Sequence, residues 1–153
     1  MIEIVKAEPL FEIKVKLDDG AKMPEKAHDA DAGFDLFSPS EFTVAQTIVD
    51  QNGHAIIDTG VHMLIPRGYV GMIKSKSGLN VKHGLTATGV VDAGYTGSIK
   101  VKLYNHSNTP YKINKGDKVA QIVIVPIPEV RLVEADALEE TERGSDGFGS
   151  TGR

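Results

Sequence analysis

The sequence predicts an all-β domain of the sandwich, jelly-roll or barrel kind, followed by a polar, glycine-rich arm. Three observations carry this expectation. Apolar–polar alternations of strand length recur along the chain, turn residues separate them every ~8–12 positions, and helix signals are sparse.

Phe11–Leu17 alternates strictly, as a strand with one buried face does. Next, Asp29-Ala30-Asp31-Ala32-Gly33-Phe34-Asp35-Leu36 carries a cluster of acids with two open readings. Asp side chains stabilise turns, and carboxylates also hold hydrated divalent cations, Mg2+ above all because it keeps most of its waters. Ala55–Ile57, Val61–Ile65 and Tyr69–Ile73 are short β-type runs parted by Gly- and Pro-containing turns. Ser77 to Lys82 is long enough for one or two helical turns with Ser77 as N-cap. Ile99–Leu103 alternates again. Val119–Val125 is the longest apolar run, and its β-branched residues favour a buried strand that Pro126 and Pro128 close. Ala135 to Glu142 has helical composition but is too short to stand as a helix. The boundary therefore falls between a β-domain at 1–136 and an arm at 137–153.

Bulk properties narrow the function. A chain of 153 residues holds one domain that buries roughly 70% of its unfolded surface. A net charge of −4 argues against a nucleic-acid partner, though not against a small anion met by a local cluster of cations. With no cysteine, disulfides and thiolate metal sites are excluded. No apolar run reaches the roughly 20 residues of a membrane span, and the acidic start is unlike a signal peptide, so a cytoplasmic location is expected.

Several segments suit phosphate chemistry. Lys74-Ser75-Lys76-Ser77-Gly78-Leu79 offers amides, hydroxyls and cations at a helix start, although an N-capped surface turn has the same composition. Asp92 sits between Val90-Val91 and a Gly turn, where partial burial would raise its basicity; an Asp-x-Gly turn without chemistry is the plain alternative. Tyr95 suits either strand-edge packing or a platform under a sugar. Gln121 lies inside an apolar strand and must find a partner, structural or ligand. The five histidines (His28, His54, His62, His83, His106) lack metal-ligand spacing and read as surface or satisfied structural residues. In the arm, Gly147-x-Gly149-x-x-Gly152 matches the dinucleotide fingerprint, but no helix follows to complete it. What remains is a lid-like segment with cations, hydroxyls and Phe148.

The order of these segments is more specific than any one of them. Ala32-Gly33-Phe34-Asp35-Leu36, Ser77-Gly78-Leu79, Val91-Asp92-Ala93-Gly94-Tyr95-Thr96-Gly97, Gly116-Asp117-Lys118-Val119-Ala120-Gln121, and Arg143-Gly144 with Gly147-Phe148-Gly149-Ser150-Thr151-Gly152 together resemble the trimeric dUTPase family over nearly the whole chain. The resemblance implies a jelly-roll-like distorted β-barrel, a homotrimer with intersubunit sites, and Mg2+-dependent hydrolysis of dUTP to dUMP and pyrophosphate. That reaction limits uracil incorporation into DNA and supplies dUMP for dTTP synthesis. By position, Asp92 is similar to the family's general base and Tyr95 to the residue beneath the deoxyribose. Asp35 would reach the metal through water, and Lys76, Ser77, Gly78 and Gln121 would line the phosphates. By the same resemblance, Gly89 would belong to the loop that reads uracil. Arg143, Gly149, Ser150 and Thr151 would close on the terminal phosphate while Phe148 covers the base.

Two departures stand out. Lys76 replaces the family's usual Arg, keeping the charge without the planar fork. The Gly84–Asp92 loop is short, with Thr86-Ala87-Thr88-Gly89 where the family has Asn before the Gly, and in this it resembles phage-encoded members. The alternatives are a dCTP deaminase-type enzyme on the same fold, which would need a glutamate base, and a trimeric module that senses dUTP or engages a regulatory protein partner.

Overall fold

The computed structural model describes residues 11–44 and 53–147. Within them, eleven strands and one short helix follow in the order β1 (Lys14–Leu17), β2 (Gly33–Phe37), β3 (Phe42–Val44), β4 (Gly53–Asp58), β5 (Val61–Leu64), β6 (Tyr69–Lys74), α1 (Ser77–His83), β7 (Leu85–Thr86), β8 (Thr88–Val91), β9 (Lys100–Asn105), β10 (Tyr111–Ile113) and β11 (Lys118–Pro126). The expected all-β, jelly-roll-like architecture is what forms. No described helix is long and apolar enough to cross a membrane.

All the ladders are antiparallel. β2-β11-β6-β8 make a four-stranded sheet, β4-β9-β7 a three-stranded one, and β1-β5 and β3-β10 are two-stranded. Alternation explains the pairing of β4 with β9. Val101 and Leu103 turn inward opposite Ile57 and Ala55, while Lys100 faces solvent opposite Asp58. β11 and β8 of the larger sheet meet β9 across one core that includes Leu36, Ile57, Ile73, Leu103, Ile113 and Ile122. β11 lies between β2 and β6, so both its edges are hydrogen-bonded. That central place accounts for its β-branched run Ile122 to Val125.

The structure departs from the sequence expectation in several places. β1 is shorter than Phe11–Leu17, beginning at Lys14 where its ladder with β5 begins. The acidic segment is not all turn, because Asp35 sits in the middle of β2. β3, β7, β8 and β10 are too short to carry a periodic signal. Ser77 is not the N-cap. Lys76 holds that position in extended conformation, with no side-chain cap, and Ser77 is the first helical residue. The helix thus begins one residue earlier than expected, and the Lys76 side chain reaches toward Asp35. Gly84 ends the helix in the left-handed region at φ 66°, where Lys82 and His83 complement the last turn.

Candidate active site

Register brings three separated motifs into one row. Across the four-stranded sheet, Asp35 on β2 pairs with Gln121 on β11, Gln121 with Lys74 on β6, and Lys74 with Thr88 on β8. Directly opposed residues share a face, so these four polar groups line up on the side of the sheet away from the core.

Asp35 is the centre of that row. Its side chain is only 2% exposed, yet it is charged, because two ammonium groups converge on it. Lys76 Nζ donates to Oδ1 at 2.5 Å. Lys118 Nζ stands 2.8 Å from Oδ2 as an ion pair out of hydrogen-bonding direction, so Oδ2 is buried without a hydrogen-bond donor. Burial pushes the carboxyl pKa up, but Lys118 and Lys76 together outweigh it and hold the group below its ordinary range. Two cations thus surround one carboxylate, with Glu25 and Asp31 also within electrostatic reach of Lys118.

Gln121 has a structural partner within this chain. Its Nε2 donates to the Ser75 carbonyl at 3.0 Å, which satisfies the amide and fixes the end of β6. Its Oε1 lies against Gly33, where a Cβ would come within 2.3 Å. Ser75 Oγ in turn accepts from Ala87 N and donates to Ala87 O, tying the chain before α1 to the β7–β8 connection. Ser77 and Gly78 open α1 and are exposed beside Lys76.

Asp92 and Tyr95 stand on the turn after β8. Asp92 is exposed in this chain, so the partial burial expected of it is not found within one subunit. The turn closes through Tyr95 N donating to Asp92 O and Gly94 N donating to Ile65 O. Tyr95 is 47% exposed, its hydroxyl donating to Ser98 O at 3.2 Å. Ser98 Oγ donates to Asp58, which also accepts from Gly60 N. Those two bonds lower the Asp58 pKa. Gly97 lies directly under the Tyr95 ring, where a Cβ would fall 2.3 Å from the phenolic oxygen. Gly97→Ala therefore displaces Tyr95. A rise in KM of about tenfold is expected, the equivalent of about 1.4 kcal/mol, with the melting temperature little changed. An unchanged KM would show that Tyr95 does not touch the substrate.

The remaining expected residues divide. Gly89 is half-buried on β8 opposite Ile73. Arg143 is exposed, its Nε donating to Asp146 O within a local turn, and no described contact joins it to the Asp35 cluster. Phe148, Gly149, Ser150 and Thr151 lie outside the described residues. Two contributors escaped the sequence reading. Lys118 belongs to a recognised motif, and its signal is a lone cation just ahead of an apolar strand. Ser75 gives no signal beyond its position between lysines.

Among the described residues no group of three or more His, Asp or Glu stands together to hold a metal directly. The donor-free Oδ2 of Asp35 does fit a hydrated cation, since it can accept a hydrogen bond from a metal-bound water.

A family model described as dUTPase matches residues 19–152. The deoxyuridine 5'-triphosphate nucleotidohydrolase of Alkaliphilus metalliredigens is 42% identical over 147 residues, covering 94% of this chain and 99% of the relative. That of Yarrowia lipolytica is 42% identical over 139 residues, 89% of this chain and 85% of its own. Among solved structures, a mutant dUTPase of Staphylococcus bacteriophage 80alpha with dUpNHpp superposes with a TM-score of 0.83 at 33% identity, over 93% of this chain and 99% of that one. A point mutant of the dUTPase from phage phi11 of S. aureus, which coordinates a structural Mg(II) ion, gives 0.74 at 32% identity over 85% and 100%. Agreement through residues 19–152 in sequence, and over 93% of the chain in backbone, has one meaning: the chain belongs to the dUTPase family.

Proposed function

We propose that this chain hydrolyses dUTP to dUMP and pyrophosphate by water attack on the α-phosphorus, in a homotrimer whose sites lie between subunits. The observation that carries the reading is the pairing of Asp35 with Gln121 in one outward row and the convergence of Lys76 and Lys118 on the Asp35 carboxylate. Three motifs far apart in sequence meet there and bring two ammonium groups together, which suits a triphosphate.

Cleavage of a phosphoanhydride depends on positioning and charge neutralisation more than on covalent chemistry. Lys76 and the first amides of α1 supply fixed donors to the phosphates, Lys76 as a point charge and not a fork. Asp35 keeps Lys76 extended toward the row and offers Oδ2 to the water shell of Mg2+, which when bound would neutralise phosphate charge. Asp92 takes the proton of the attacking water, and its carboxylate is exposed and accessible to that water. Tyr95 lies under the deoxyribose and leaves no room for a 2'-hydroxyl. The arm, residues 137–153, closes over the nucleotide, Phe148 on uracil and Arg143, Gly149, Ser150 and Thr151 at the terminal phosphate.

Three features support the trimer. Asp92 follows the end of β8, four residues on from Thr88 at the near end of the polar row and roughly 10–13 Å away if the chain is extended, and no described contact joins it to the Asp35 cluster. Next to the row, Val123, Met72 and Val90 form an apolar stripe on the same outer face, Val90 being 60% exposed. The segment beyond β11 also leaves its own subunit uncovered, with Leu132 94% and Leu138 90% exposed.

Pyrophosphate release from dUTP, dCTP, dTTP and UTP tests the reading. Turnover of dUTP at least about tenfold above the others is expected, since a methyl or hydroxyl that clashes costs more than the roughly 1–3 kcal/mol of a lost contact. Absence of dUTP turnover, or ammonia release from dCTP, would overturn it.

A further inference from the structure

We propose that His62 is a positioning residue for the Asp92–Tyr95 turn, an imidazolium that ties this turn to the end of β1 and lets go when it loses a proton. The inference rests on the catalytic reading of that turn. His62 lies on β5 opposite Lys16 of β1, its side chain 19% exposed. Its Nδ1 is 2.7 Å from the carbonyl oxygen of Thr96, and its Nε2 is 2.9 Å from Oδ2 of Asp18. A carbonyl can only accept a hydrogen bond, and so can a carboxylate. Both ring nitrogens must therefore donate, which only the doubly protonated ring does. Either neutral tautomer keeps one bond and turns a lone pair toward the other acceptor.

Thr96 adjoins Tyr95, so this carbonyl is a handle on the proposed sugar platform. Besides the turn's own Tyr95 N–Asp92 O and Tyr95 hydroxyl–Ser98 O bonds, the described ties to neighbouring segments include the Gly94 N–Ile65 O bond at one end and the Ser98–Asp58 and Ile99 N–Val61 O bonds at the other. His62 holds the middle.

The charged groups facing the ring come from neighbouring elements. From the end of β1 come Asp18, which favours the cation, and Lys16, which opposes it. Asp58 of β4 lies within electrostatic reach and is itself near Lys100 of β9. The Asp18 bond and the Thr96 carbonyl prevail, and the ring's pKa stands above its ordinary 6.5. A raised value fixes the sign. The tie is complete below 6.5 and is lost as pH climbs through the higher folded-state value.

The experiment combines ring titration with kinetics. In the intact protein, nitrogen NMR of His62 is expected to show both ring nitrogens protonated at about pH 6.5, with a midpoint above the ordinary 6.5 of an imidazole. The backbone amides of Tyr95 and Thr96 should move with the same midpoint in the wild type and lose that transition in His62→Gln. The ratio of kcat/KM for dUTP between wild type and His62→Gln should be about five to ten near pH 6 and fall toward one by about pH 9, a comparison that cancels titrations common to both. Asp18→Asn, which leaves the ring in place, should lower the His62 midpoint and serves if His62→Gln folds poorly. A neutral ring at about pH 6.5, or a ratio constant with pH, would overturn the proposal. Wild type without dUTP turnover would sink the proposed function instead, and the ring and amide titrations would still decide whether His62 holds the turn.

Discussion

Asp92→Asn is expected to lower kcat for dUTP by about 10²–10⁴-fold while KM stays within a few-fold, the range for loss of a positioned general base. The substitution is nearly isosteric and Asp92 is exposed, so neither a cavity nor a stranded charge follows in the protomer. The backbone bond from Tyr95 N to Asp92 O does not involve the side chain and survives. The melting temperature should therefore match the wild type, which separates loss of chemistry from loss of fold. Asparagine still orients a water but cannot take its proton. Turnover within about threefold of wild type would remove Asp92 from the mechanism.

The fold was legible in the sequence wherever one face of a strand meets water. Ile99–Leu103 and Val61–Ile65 alternate because one side is core and the other solvent, and both form strands within a residue or two of expectation. β2 was hidden for the opposite reason. Asp35 lies in mid-strand at 2% exposure, and a buried acid reads as a turn unless its partners are known. Those partners, Lys76 and Lys118, are 41 and 83 positions away (76 − 35 and 118 − 35), so no local window holds them. The start of α1 was misplaced by one residue because a lysine carries no capping signal, and the contact that orients Lys76 is this same distant one.

The site was legible as an ordered set of motifs but not as geometry. Sequence order named Asp35, Lys76 and Gln121, whereas only the antiparallel register puts Asp35 opposite Gln121 and Gln121 opposite Lys74. Gln121 could be assigned a partner only once Ser75 O was seen beside it. The reading of His62 as a satisfied residue holds, but what satisfies it comes from Asp18 and Thr96 on two other segments. Composition carries no trace of that.

Removal of residues 143–153 should leave the β-domain folded and turnover of dUTP severely reduced. The fold argument is direct. Residues from 129 to 146 are exposed throughout, and the described part of the deleted segment bonds only locally, Arg143 to Asp146 and Gly144 to Thr141. The bidentate Arg67–Glu129 pair, at 2.6 and 3.0 Å, anchors the chain well before the cut and remains. Stability should change by no more than about 0.5 kcal/mol, as for surface changes away from special features. Stacking of an aromatic ring on a base is worth about 1–3 kcal/mol. A charge-assisted contact to phosphate adds about 1.5–3 kcal/mol. Together, at about 1.4 kcal/mol per tenfold, they correspond to a loss in kcat/KM on the order of 10²–10⁴. Phe148→Ala should give the stacking part alone, about ten- to a hundredfold, and Arg143→Ala the phosphate part. Full activity in the truncated protein, with an unaltered oligomeric state on light scattering, would mean that phosphate closure belongs to the Asp35 cluster and not to the arm.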